Sequence, residues 1–222
     1  GALTDEGLVV ASKLAYDMEL RTPGFAIVYA ASVGDSAFGR DLHKLALDPL
    51  DVVSGVDAFP ADDDSIVADL AITDDRNFVL IADNNSFGTG NRVSVVDLVP
   101  ANPVQVQTLT IEDPVSIAVS PFDDAAIVAS GFGDGVFVLA YDVLASPPFA
   151  NPVELTYLGG APQLPANFVT ILRGTLEGNV YLAELSGIRR IRFEGGGSVE
   201  DVGLANRGGG VENIVGAFGF PP

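Results

Sequence analysis

The sequence predicts an all-β fold assembled from repeated units of four antiparallel strands, and three observations carry that prediction. Residues 67–83 (VADLAITDDRNFVLIAD) superimpose without a gap on residues 114–130 (PVSIAVSPFDDAAIVAS), at an offset of 47 residues. In both copies an alternating apolar segment, Leu70 and Ile72 against Ile117 and Val119, runs into a polar turn and then into a more continuous apolar run. Alternation at period 2 broken by Asp, Asn and Pro marks a hairpin of two short strands. A unit recurring at this period belongs to an array in which no unit buries its apolar face alone. Finally, no segment carries apolar residues at i, i+3, i+4 and i+7 over three turns, so almost no helix is expected.

The elements follow in chain order. Residues 1–6 read as a lead-in, 7–16 as one strand and 21–24 as a turn. Residues 25–31 (FAIVYAA) match 78–84 at an offset of 53 and form a second strand. The segment LHKLALDP alternates Leu42, Lys44 and Ala46 with His43, Leu45 and Leu47, and has its counterpart in VSVVDLVP, each ending in proline (Pro49, Pro100). Residues 51–65 are the least regular stretch, a short outer strand and a loop holding Asp57, Asp62, Asp63 and Asp64. Such consecutive carboxylates repel one another and belong in water.

In the second unit the loop NNSFGTGN leads to a third strand at 92–98 and a fourth at 103–111. In the third unit GFGDG leads to VFVLAYDV, and NPVELTYL at 151–158 supplies the fourth strand. NFVTILR, VYLAEL, IRRIRFE and SVEDVGLA repeat the theme over 167–205. Past Gly208, VENIVGAF resembles the opening strand of another unit, with Ile214 where Ile117 sits. The chain therefore divides into one domain with units at 7–60, 61–113, 114–162 and 163–205, and an extra or closing strand at 211–220. The core is expected at the second strands: Ile27, Val79, Ile81, Ile127, Val128 and Leu182. Central strands covered on both faces read as continuous apolar runs.

Over residues 67–158 the order of an opening IAVSP, an Asp-rich turn, a strand ending in small residues, an Asp/Asn/Gly loop and VSVVDL resembles the YVTN type of β-propeller repeat. The Tyr-Val-Thr-Asn stretch itself is replaced by FVLIADN and AIVAS. The resemblance implies a β-propeller whose blades are four-stranded antiparallel sheets, about four of them here. It carries over no catalytic residue. Two architectures stay open. One is a small closed ring in which 211–220 supplies the innermost strand of the first blade, paired with 25–31. The other is part of a larger propeller, whose open edges invite self-association.

Composition bounds the function. The 222 residues are 48% hydrophobic and 18% charged, ample for one well-packed core, and the 25 Gly and 14 Pro are scattered as many tight turns require. Eleven basic against 30 acidic side chains leave a net charge of −19. A surface that acidic repels nucleic-acid phosphates and anionic membranes, so neither is expected as a partner. No apolar run approaches the length of a membrane-spanning helix. The first twelve residues lack a basic region and an apolar stretch, so any secretory signal is expected to have been removed already.

Candidate chemistry is sparse. Cysteine is absent, which excludes disulfides, thiolate metal sites and a thiol nucleophile. His43 is the only histidine and sits mid-strand with no nucleophile-elbow pattern beside it, so a triad or a multi-histidine metal site has no basis. No phosphate-binding glycine motif occurs; GFGDG lies between two strands and reads as a turn. Oxygen ligands remain: Asp83, Asn84, Asn85 and Asp134 fall in equivalent loops. Asp83, Asn84 and Asp134 are the candidate Ca2+ ligands, and no other cofactor is expected. Tight turns select the same residue types for their tolerance of left-handed backbone. Arg189, Arg190 and Arg192 make a positive spot, with Arg190 expected on the face opposite the other two and all paired to acids across strands.

Two function classes follow. One is a non-catalytic, acidic interaction or structural module, extracellular or periplasmic, presenting loops to a protein, glycan or ion. The other is a lactonase-like propeller hydrolase using a divalent cation held by carboxylates near the central channel. Acidic side chains from several units converging on the axis would favour the hydrolase.

Overall fold

The computed structural model describes residues 13–15, 27–31, 42–47, 50–56, 58, 67–83, 91–131, 135–158, 169–171, 178–184 and 187–206. Among them are sixteen strands and no helix. The first sheet comprises β1 (Lys13–Ala15), β2 (Ile27–Ala31), β3 (Leu42–Leu47) and β4 (Leu50–Val56). The second comprises β5 (Val67–Ile72), β6 (Phe78–Asp83), β7 (Arg92–Asp97) and β8 (Val104–Thr110). The third comprises β9 (Pro114–Val119), β10 (Ala125–Ser130), β11 (Gly135–Ala140) and β12 (Val153–Glu154), and the fourth β13 (Val169–Ile171), β14 (Asn179–Glu184), β15 (Gly187–Gly195) and β16 (Ser198–Asn206). Each is a four-stranded antiparallel meander in which every strand pairs with its sequence neighbour.

Side-chain alternation explains how the sheets stack. On β6, Phe78, Leu80 and Ala82 pack against Ile117, Val119, Ala126 and Val128 of the third sheet. The alternate residues Val79 and Ile81 pack with Leu42 and Ala58 of the first sheet's side. On β10, Ala126 and Val128 face the second sheet, while Ala125, Ile127 and Ala129 meet Val180, Leu182, Ile191 and Phe193 of the fourth. A strand sandwiched this way needs apolar residues at every position, and β6, β9 and β10 are buried throughout. At the margin β8 shows the opposite pattern, with Val104 and Val106 exposed and Leu109 buried. Of the expected core, Val79, Ile81, Ile127, Val128 and Leu182 are fully buried; the side chain of Ile27 lies outside the described residues.

The first strands of successive sheets lie side by side, β1 against β5, β5 against β9 and β9 against β13. The sheets therefore stack face to face and fan out from a line of first strands. The 47-residue repeat survives as geometry. The amide of Thr73 donates to Phe78 O at 2.9 Å and that of Ser120 to Ala125 O at 2.8 Å, while the equivalent residues Arg76 and Asp123 both take left-handed backbone (φ 62° and 51°). The equivalent positions Asp69 and Ser116 are bonded to each other: Ser116 Oγ donates to Asp69 Oδ2 at 2.8 Å and the Ile117 amide to the same oxygen at 2.9 Å. One carboxylate thus joins two neighbouring first strands.

Lys13–Ala15 pairs with Tyr29–Ala31, and β3 takes the other edge of β2, so β1 holds the innermost place of the first sheet, the place that the closed-ring alternative gave to 211–220. Residues 211–220 themselves lie outside the described residues. The expected eight-residue fourth strand of the third unit is only Val153–Glu154. The ladder with β11 breaks between Ala150, whose amide donates to Ala140 O at 2.9 Å beside the isolated Tyr141–Phe149 bridge, and Val153; Pro152 in that gap has no amide to donate. At the other end Tyr157 Oη accepts from the Val136 amide at 2.6 Å, taking a donor that a longer edge strand would have used.

The gap left by that short strand is filled from the second sheet. Gln107 on β8 donates from Nε2 to Phe149 O at 2.6 Å and accepts from the Phe149 amide at 3.1 Å, imitating a strand pair with one side chain. The Phe149 ring stacks on Tyr141 with centroids 4.8 Å apart, and Phe78 meets both rings edge-on.

Candidate functional site

Antiparallel meanders place the turns β5–β6 and β9–β10 at one end of the sheets and the links β6–β7, β8–β9 and β10–β11 at the other. At the second end, Asp83 is fully buried and accepts from Arg92 Nε at 3.1 Å. Asn91, itself left-handed (φ 71°), donates its amide to Asp83 O and accepts from the Asp113 amide through Oδ1. Asp83 is thus engaged by an arginine, while Asn84, Asn85 and Asp134 lie outside the described residues. Among the described residues no group of three or more His, Cys, Asp or Glu is placed to hold a metal ion.

At the first end a carboxylate network ties three sheets together. Asp75 accepts from Thr73 Oγ1 and Tyr141 Oη, both at 2.6 Å, and from the Asn77 amide and Nδ2. The Asp75 amide donates to Asp123 Oδ1 at 2.8 Å, across from the second sheet to the third. Asp124 accepts from Ser120 Oγ and from the Gly197 amide at 3.1 Å, across from the third sheet to the fourth. Burial alone pushes the Asp75 carboxyl up, but the bonds from Thr73, Tyr141 and Asn77 hold it below its ordinary value. Burial and the hydrogen bond that it donates to Asp75 together push the Tyr141 hydroxyl well above its ordinary range. The Asp123 carboxyl is raised, first by burial and then by repulsion from Asp75 and Asp74.

A pH prediction follows from the raised Asp123. A group whose native pKa lies above its unfolded value costs stability as pH rises through the native pKa, and costs nothing below the unfolded one. Asp123→Asn keeps an oxygen for the Asp75 amide and tolerates the left-handed backbone. Its melting temperature should exceed the parent's at pH 7, with the gap closing below pH 3.8, the ordinary value of the carboxyl. Melting curves between pH 3 and 8 check this (on the order of the carboxylate range), and a pH-independent gap refutes the electrostatic cause.

Between the third and fourth sheets, Arg189 and Asp201 form a buried ion pair, with side chains 3% and 0% exposed. Asp201 also accepts from the Leu158 and Gly203 amides, both at 2.9 Å, and the guanidinium lies 5.6 Å from the Tyr157 ring centre. The arginine expectation is corrected here: Arg189 is buried with Ile191 and Phe193, and Arg190 is exposed. Residues two apart on a strand share a face, so Arg189, not Arg190, is the one that stands alone. Arg192 bonds Glu200 across the hairpin, as cross-strand pairing predicts, and Glu194 on its own strand.

The outer rim of the third sheet carries a different surface. Leu144, Val153 and Leu158 are 92%, 66% and 61% exposed. Beside them a cleft of ≈390 Å³ opens between β12 and the β15–β16 hairpin, lined by Val138, Val153, Leu155 and Val199 with Glu154 and Ser198. A second cleft of ≈480 Å³ under Pro147 and Pro148 shares Ala140, Ala150 and Asn151 with the first, so the two are continuous. Sequence reasoning missed this surface because it drew a full strand through 151–158. Pro152, inside that expected strand, was the available sign that the ladder breaks.

No protein-family profile matches the chain, and no curated sequence is significantly similar to it. Solved structures do resemble it. A functionally unknown protein from Desulfotomaculum acetoxidans superimposes with a TM-score of 0.56 at 18% identity, over 83% of this chain and 58% of that one. A candidate 6-phosphogluconolactonase from Bacteroides uniformis gives 0.54 at 13% identity, over 90% and 58%. The WD40 domain of Toxoplasma gondii coronin gives 0.55 at 12% identity, over 86% and 45%. With sheets that fan from a line of first strands, these likenesses decide the architecture. The fold is a β-propeller. The chain spans 58% of the length of the first two proteins it matches, and at these identities the likeness speaks for the fold alone. In propeller terms the sheets are blades, the Asp75–Asp123 and Asp124–Gly197 bonds are inter-blade ties, and the apolar clefts lie on the rim between the third and fourth blades.

Proposed function

We propose that this propeller, built of YVTN-like repeats, is a non-catalytic, acidic interaction module that works outside the cytoplasm and presents the rim of its third and fourth blades to a protein. The observation that carries the reading is the apolar rim: Val153 stands exposed in the lining of the clefts, and Leu144 and Leu158 are exposed in the segments on either side of it, on a chain of net charge −19. Contiguous exposed apolar surface of this kind marks interaction sites. The aliphatic lining suits protein side chains better than sugar rings, whose hydroxyls need hydrogen-bond partners when buried. The described carboxylates support the reading in a second way. Asp69, Asp75, Asp124 and Asp201 accept structural hydrogen bonds within or between blades, which is scaffold chemistry.

A photo-crosslinking side chain placed at position 153 tests the surface in the extracellular fraction of the source cells. Discrete protein adducts are expected from position 153 and not from position 99, where Val99 is 70% exposed away from the clefts. Equal labelling from both positions, or none from 153, overturns the surface assignment. Turnover of γ- or δ-lactones that disappears on chelation of divalent cations overturns the non-catalytic reading.

A further inference from the structure

The rim carries a second layer of information, because the strand beside the clefts is a sheet edge. Among the described residues β12 has one paired neighbour, β11, with Phe137 opposite Glu154 and Val138 opposite Val153. The Leu155 amide donates inward to Val136 O at 2.8 Å. Backbone groups alternate sides along an antiparallel strand, so the amides and carbonyls of Glu154 and Thr156 point away from the sheet. Natural edges are blunted by lysine, proline or an inward-pointing charge. Residues 153–158 (VELTYL) contain neither lysine nor proline, and their one charge, Glu154, is exposed.

Charge selects what can lie there. Among the described residues the two clefts are lined by two carboxylates, Asp142 and Glu154, and by no Lys, Arg or His. The chain as a whole carries −19. A second copy would bring the same carboxylates against themselves, and like charges across an interface are repulsive. A segment with basic side chains meets no such cost.

We propose that the occupant of this rim is an extended, cationic peptide segment of a partner protein that continues the third blade past β12. Its backbone pairs with Glu154 and Thr156. Apolar side chains at alternate positions fill the cleft beside Val153 and Val199, and the intervening lysines or arginines meet Glu154 and Asp142. This is strand addition, in which main-chain hydrogen bonds supply affinity and alternate side chains supply selectivity. It rests on the interaction-module reading above and adds the chemistry of the partner.

The test uses a fluorescent peptide of alternating Val and Arg, (Val-Arg)4, its acidic counterpart (Val-Glu)4, and a (Val-Arg)4 peptide N-methylated on alternate amides. Anisotropy titrations against the full chain should show binding of the first peptide alone, with protection of the Glu154 and Thr156 amides from hydrogen exchange. Glu154→Lys should weaken binding about tenfold, as expected when one close charge pair becomes repulsive, and Glu154→Gln by less. Glu112→Lys changes net charge equally on an exposed link between the second and third blades, and should leave affinity within about twofold. Equal binding of acidic and basic peptides, undiminished binding of the methylated peptide, or equal losses in Glu154→Lys and Glu112→Lys overturns the proposal. If crosslinks from position 153 persist while the peptides fail, the partner chemistry is wrong and the surface stands. If the crosslinks are absent, the surface itself falls.

Discussion

Replacing Ile127 by aspartate is expected to abolish the folded state. Ile127 is 0% exposed and sits on the face of the third blade that meets Val180, Leu182 and Ile191 of the fourth. A carboxylate there has no counter-charge among those side chains. Burying an unpaired charge costs more than the roughly 5–15 kcal/mol that holds a domain of ordinary stability together. The conservative Ile127→Val should cost only about 0.5–1.5 kcal/mol and remain folded. Near-ultraviolet circular dichroism and amide NMR dispersion distinguish the outcomes. A dispersed native spectrum for Ile127→Asp would show that the stacking of these two blades is misassigned.

Asp201→Ala is expected to be the most damaging loss of a single polar group. It leaves the guanidinium of Arg189, buried to 3% exposure, without its carboxylate, and strips the acceptor from the Leu158 and Gly203 amides. Removing one partner of a buried pair costs about 3–5 kcal/mol, because the remaining charge is uncompensated. Removing both should cost much less, so Arg189→Met with Asp201→Leu should recover a large part of the loss. Urea midpoints at constant slope measure both. A double variant no better than Asp201→Ala would mean that the backbone bonds to Asp201, and not the charge, dominate at this joint.

The two sites differ in how they could be read beforehand. Ile127 lies in AAIVAS, a run with no polar interruption until Ser130, and such a run has a direct physical meaning: both faces of the strand are covered. That alone places the residue in the core. The partner of Arg189 had no such mark. Twelve residues of chain and a hairpin separate Arg189 from Asp201, and many acids were equally eligible on a chain with 30 of them. Parity along the strand did identify which arginine differs from its neighbours, since residues two apart share a face. The expectation that singled out Arg190 failed on that count.

Periodicity and turn chemistry, both local, determined the strands, their grouping into fours and the recurrence that makes one unit the mould for the next. They also determined the continuous apolar character of β6 and β10, because alternation disappears only when both faces are buried. What the tertiary structure alone decided was everything that passes between blades. Asp69 and Ser116 are the same position in two repeats, yet nothing local says that they hydrogen-bond each other; stacking one blade on the next brings them together. The same stacking joins Asp75 to Asp123 and seats Gln107 on Phe149. It also sets the cleft beside Val153, which lies between β12 and the β15–β16 hairpin of the next blade. Sequence patterns report which side of a strand meets apolar surroundings, but the identity of the surface that supplies them is set by packing at long range.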